Sequence, residues 1–125
     1  MSTKPHQEDP RAFLPLKPDL FHILLALSEE DLHGYGIMKV VEKATRGEVL
    51  LEPSPLYRRL KRLVEKGIVE QSGSGPASGF EDSRRQYYRL TPFGRSVLAA
   101  EAARLVDLAG NARVRALAAN PGGIS

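Results

Sequence analysis

The apolar positions group into helical and strand-like runs separated by turn residues. Pro18 suits the first turn of a helix, and Asp19 beside it complements the positive helix end. Leu20, Phe21, Ile23, Leu24, Leu25 and Leu27 cover most of a helical circumference, the mark of a helix buried on several sides. Glu29-Glu30-Asp31 follows as a surface turn. From about Gly34 to Thr45, Ile37, Val40, Val41 and Ala44 recur at i, i+3, i+4 and i+7, one buried stripe. Gly47 ends that helix.

The third run is the most informative. Ser54 reads as an N-cap, Pro55 as the first helical residue and Gly67 as the stop. At about 100° per residue, Leu56, Leu60, Leu63 and Val64 share one sector. Arg58, Lys61, Arg62 and Glu65 lie opposite, with Tyr57 and Arg59 on the boundaries. Ile68 to Gln71 and Arg84 to Leu90 read as two strands of a hairpin. The glycine-rich stretch from Ser72 to Asp82 is its loop. Thr91-Pro92 starts a last helix, predicted to run unbroken to Ala119, about 40 Å. Leu98, Ala102, Leu105, Ala109, Ala112 and Ala116 form its stripe, and Leu108 widens it. Residues 1–15 read as a flexible arm, 16–91 as one domain, 92–119 as the last helix and 120–125 as a frayed tail.

Composition narrows the class. The chain has 125 residues, 42% hydrophobic and 26% charged, enough for one core. Cysteine is absent, which removes disulfides and thiolate chemistry. No apolar run approaches the roughly 20 residues of a membrane span, and the first ten residues do not form a secretory signal. A cytoplasmic protein is expected. The net charge is +3, but it is uneven: Ser54 to Arg95 holds nine Lys/Arg against four acids, and the remainder is net negative. A basic middle fits an anionic partner, although a solvated charged face would look the same. His6, His22 and His33 are scattered, so no metal site or other cofactor is expected. No phosphate loop, nucleophile elbow or HExxH pattern occurs, and no enzyme activity is expected.

The element order is therefore mainly α with a small β-hairpin: a winged helix-turn-helix followed by a long C-terminal dimerisation helix. Such proteins place the second helix of the pair in the DNA major groove. Arg58, Lys61 and Arg62 are the outward cations suited to guanine edges or phosphates. Ser54 is a cap that could also bond a phosphate at the helix N-terminus. Lys39 is a candidate phosphate contact. Arg84 and Arg85, at the wing base, either meet the DNA or pair with Glu81 and Asp82. Gly34 and Tyr35 are read as shaping the start of the second helix, and Gly36 as allowing close helix approach.

Three segments resemble the PadR family of bacterial transcriptional regulators. They are His33-Gly34-Tyr35-Gly36-Ile37, Ser54-Pro55-Leu56-Tyr57-Arg58-Arg59-Leu60-Lys61-Arg62-Leu63 with Gly67-Ile68-Val69, and Arg84-Arg85-Gln86-Tyr87-Tyr88-Arg89-Leu90-Thr91-Pro92-Phe93-Gly94. The single final helix resembles the short-form members. The resemblance implies a homodimeric winged-helix regulator, usually a repressor, released by a small-molecule effector or other signal. It also implies a DNA contact for Tyr57. The apolar stripe of the last helix calls for a partner, and the interface candidates are Phe21, Leu98, Ala102, Leu105, Leu108, Ala109 and Ala112. A two-fold dimer implies an inverted-repeat operator on double-stranded DNA. An effector pocket is expected between subunits, with Phe13, Phe21 and Phe93 available to line it. The alternative reading is a winged helix that binds a protein instead of DNA.

Overall fold

The computed structural model describes residues 8–72 and 86–122. Helices α1 (Pro18–Leu27), α2 (Gly34–Ala44) and α3 (Pro53–Glu65) and a three-stranded antiparallel sheet enclose the core, with the start of the next helix packed onto it. The strands are β1 (Leu32–His33), β2 (Val69–Ser72) and β3 (Tyr87–Leu90), in the order β1-β3-β2. Val69 pairs with Leu90 and Ser72 with Tyr87, so β2 and β3 form the expected hairpin. The two-residue β1 adds a third strand that pattern did not predict, with Leu32 opposite Tyr88 and His33 opposite Tyr87. Helices α4 (Pro92–Ala109) and α5 (Ala112–Ala119) complete the chain.

Leucines and isoleucines from every layer meet in one cluster. Ile23, Leu24 and Leu27 of α1 face Ile37 and Val41 of α2 and Leu56, Leu60 and Leu63 of α3, with Ile68, Val69, Leu90 and Val97 closing the sheet side. Burying an aliphatic side chain stabilises by about 1.5–3 kcal/mol. The three leucines thus fix which side of α3 turns inward.

Helix boundaries correct the sequence reading in three places. First, α3 begins at Pro53 with Glu52 as N-cap, so Ser54 is an exposed helical residue and not the cap. The first backbone bond closes from Leu56 N–H to the Glu52 carbonyl at 3.0 Å. Pro53 and Pro55 both fit because the first turn needs no N–H partners. Second, the predicted continuous final helix is broken. Gly110 caps α4, and Asn111, with φ −67° and ψ 130°, starts α5 by accepting from Arg113 N–H at 2.8 Å and Val114 N–H at 3.1 Å. Third, the arm does not stay loose through residue 15. Pro10–Phe13 form a 3-10 turn, and Phe13 packs edge-on against Phe93 with centroids 5.8 Å apart.

A buried carboxylate fastens that segment. Glu101 on α4 is only 2% exposed and accepts from Leu16 N–H at 3.2 Å. Arg104 reaches it with two donors, Nε at 2.7 Å and Nη2 at 3.0 Å. The Arg104 hydrogen bonds hold the Glu101 carboxyl below the usual carboxylate range; burial opposes this, and the Leu16 bond adds to it.

Candidate nucleic-acid interface

α2 and α3 present the candidate surface, and local chemistry sets how each begins. His33 caps α2, its Nδ1 accepting from Gly36 N–H at 3.0 Å. The acceptor role requires an unprotonated Nδ1. The same residue belongs to β1 opposite Tyr87, and its ring meets Tyr87 edge-on at 5.1 Å. The start of α2 is therefore tied to the root of the wing. Tyr35 is 54% exposed and stacks near His33, with centroids 6.4 Å apart. Lys39 Nζ lies 5.7 Å from the Tyr35 ring, a cation–π distance that holds this lysine on the exposed side of α2.

On α3, Arg58, Lys61 and Arg62 are all exposed, and among the described residues none of them enters an ion pair. Ser54 is exposed at the helix start. Tyr57 is 47% exposed on the boundary between the buried and basic sides. Its phenol lies against Gly34, where an added Cβ would overlap it. Burial pushes the nearby Tyr88 hydroxyl up in pKa, opposed by a bond with Gln71 and reinforced by Tyr57.

Two other cations of this region are committed elsewhere. Arg59, on the far boundary of α3, lies with Nε 2.5 Å from Asp19 Oδ2 of α1. The approach is off the N–H line, so it is an ion pair and not an aligned hydrogen bond. Arg89 bonds Glu70 across the wing strands at 2.8 Å. The structure thus separates α3 into a free cationic face and one tethered arginine. The candidate contacts Arg84 and Arg85, the carboxylates Glu81 and Asp82 and the glycine-rich wing loop lie outside the described residues.

The interface candidates divide as well. Leu98 is buried in the protomer's own core, and Phe21 and Leu105 are half-buried. Ala102, Leu108, Ala109 and Ala112 are exposed, as are Val106, Val114 and Leu117. No residue of α5 is buried. Two open grooves occur among the described residues. One of about 480 Å³ is lined by Lys39, Glu42, Lys43, Arg46 and Gly47, and one of about 140 Å³ lies between α1 and the start of α3. Phe13, Phe21 and Phe93 line neither groove, and Phe13 and Phe93 pack on each other. Among the described residues no group of three His, Asp or Glu could hold a metal ion, and no helix is long and apolar enough to cross a membrane.

Sequence reasoning missed the His33 cap, the Arg59–Asp19 pair, the Glu101–Arg104 pair and the Tyr57–Gly34 contact. A carboxylate in an alanine-rich helix reads as surface, and partners far apart in sequence leave no periodic signal. The glycine that follows His33 in the second helix's opening motif was the available hint for the last of these.

Comparison with known proteins agrees with this geometry. A 37.1 kDa uncharacterized protein in transposon Tn4556 of Streptomyces fradiae is 35% identical over 88 residues, 70% of this chain. The chain spans about a quarter of that relative, 23% of its length. A complex structure of hsRosR-S4, a form of the RosR protein of H. salinarum, is 28% identical. It matches with a TM-score of 0.65 over 91% of this chain and 96% of that one. Bacillus subtilis PadR in complex with operator DNA matches at 22% identity and a TM-score of 0.57, covering 69% of this chain and 47% of that chain. At that identity the likeness is one of fold, the winged helix. The family model for the transcriptional regulator PadR-like family matches residues 23–100, which contain α1 from Ile23, the α2–α3 pair, the wing strands and the first half of α4. The chain, which combines that match with the winged-helix architecture, belongs to the PadR-like family of transcriptional regulators.

Proposed function

We propose that this protein is a sequence-specific DNA-binding repressor that acts as a homodimer on an inverted-repeat operator. The observation that carries the proposal is the division of α3. Leu56, Leu60 and Leu63 are buried while Arg58, Lys61 and Arg62 stay exposed and, among the described residues, enter no ion pair, with Tyr57 and Ser54 beside them. Cations left free on a rigid helix suit phosphate neutralisation and bidentate reading of guanine. Lys39 on α2 adds a backbone contact on the neighbouring helix. Arg84 and Arg85, which lie outside the described residues, remain candidate contacts of this reading.

Dimerisation draws support from the distal helices. Leu108, Val106, Val114 and Leu117 are between 38% and 72% exposed on α4 and α5, apolar side chains that a second copy of the chain would cover. Ala102, Ala109 and Ala112 allow close helix approach on the same elements. A small-molecule effector would act in the cytoplasm by binding one arrangement of the two heads better than the other, in a pocket formed between subunits.

Footprinting on the DNA upstream of the gene tests this reading. The expected result is protection of two half-sites related by a dyad, with centres about 34 Å apart, one DNA turn. Absence of a protected site, with DNA affinity that does not depend on salt, would favour the protein-binding winged helix instead.

A further inference from the structure

Two glycines of the described chain permit close approach, and they differ in what they approach. A Cβ at Gly94 would overlap the backbone carbonyl of Ile68, which cannot yield without moving the sheet. A Cβ at Gly34 would overlap Oη, Cζ and Cε1 of Tyr57, the far end of a side chain that can rotate away. Gly34 does not need a positive φ, which only Gly47 and Gly67 have among the described glycines. Its lack of a side chain therefore serves the contact with Tyr57.

The place of Gly34 gives that contact a consequence. It is the first residue of α2 and is buried. The residue before it, His33, both caps α2 and pairs with Tyr87 of the wing strand. Tyr57 stands near the N-terminal end of α3, on the edge of the cationic face and 47% exposed. One position thus joins the first helix of the pair, the root of the wing and an exposed aromatic of the recognition helix.

We propose that Gly34 is a positioning residue for DNA recognition: its bare Cα forms the seat that fixes the phenol of Tyr57, and so the direction in which its hydroxyl meets the DNA. The proposal rests on the DNA-binding reading above and deepens it. Filling the seat expels the ring, and the fold survives because the clashing atoms are the tip of a side chain.

The test is a double-mutant cycle on the full chain, read as operator affinity and as melting temperature. Gly34→Ala is expected to weaken operator binding about 10-fold per half-site, the loss of one hydrogen bond to a charged acceptor, with melting moved by only a few degrees. Tyr57→Ala should cost about as much, and the double variant no more than either single one, because the two act through one contact. Gly94→Ala is the contrast: it should lower stability and gain nothing from Tyr57→Ala. Should Gly34→Ala fail to fold, Tyr57→Ala added to it must restore folding, and failure to restore it overturns the proposal. Independent, additive losses in affinity overturn it too while leaving DNA binding intact. A wild-type chain that binds no DNA removes the reading beneath it, a distinguishable result.

Discussion

Replacing Glu101 with glutamine tests how the N-terminal segment is fastened. The carboxylate is 2% exposed and receives three donors, one from Leu16 N–H and two from Arg104. Hydrogen bonds to a charged group contribute about 1.5–3 kcal/mol. Breaking a fully buried pair costs about 3–5 kcal/mol. The Arg104 side chain is 38% exposed, so water screens part of the attraction and the lower range applies. Glutamine keeps one acceptor for Leu16 but loses the charge, so Glu101→Gln is expected to cost roughly 1.5–3 kcal/mol at neutral pH. At about 4 °C per kcal/mol for a chain of this size, melting should fall by roughly 6–12 °C. The pH dependence follows from the lowered carboxyl pKa. The unfolded carboxyl titrates near 4.3, the native one below it. The Glu101 contribution is complete above the unfolded value and is lost as pH falls through the native one. Melting curves of both proteins between about pH 7 and pH 2.5 measure it, and the two should converge at the acid end. A gap that persists unchanged at low pH, or no gap at pH 7, would refute the fastening role.

Two further outcomes follow from the same structure. Arg58→Ala and Arg62→Ala should each weaken operator binding by about 1–3 kcal/mol in an anisotropy titration, with circular dichroism unchanged, because neither arginine makes an ion pair among the described residues. Leu108→Asp should give a folded monomer in sedimentation, since Leu108 is 46% exposed in the single chain and a charge there burdens only a subunit contact; a dimer that persists would remove Leu108 from the interface.

Much of the α3 face was legible because its two sides differ in kind. Leucines at helical spacing and arginines between them leave a single solution for which side turns in, and burial of Leu56, Leu60 and Leu63 follows it. Boundaries were less legible. Pro53 and Pro55 are equally acceptable in a first turn, and the choice of Ser54 as cap followed residue preference, whereas the backbone starts the helix at Pro53. The alanine stripe runs through Gly110-Asn111 without a phase break, so periodicity concealed an interruption that the glycine stop and the asparagine cap together encode. β1 has two residues, too few for an alternating signal. Among the cations, spacing could not distinguish Arg58 from Arg59. Asp19, on another helix, makes the difference by holding Arg59. Tyr57 was visible as a boundary residue, but its seat on Gly34 needed the packing of α2 against α3.

Salt titration of the wild-type chain against its upstream DNA addresses the exposed cationic face of α3 most directly. If a dimer neutralises roughly six phosphates, affinity should fall about 10³-fold between 50 and 200 mM salt, and an Arg58→Ala, Arg62→Ala double variant should show a shallower slope. Affinity that stays level across that range, or a slope indifferent to those two arginines, would contradict the account.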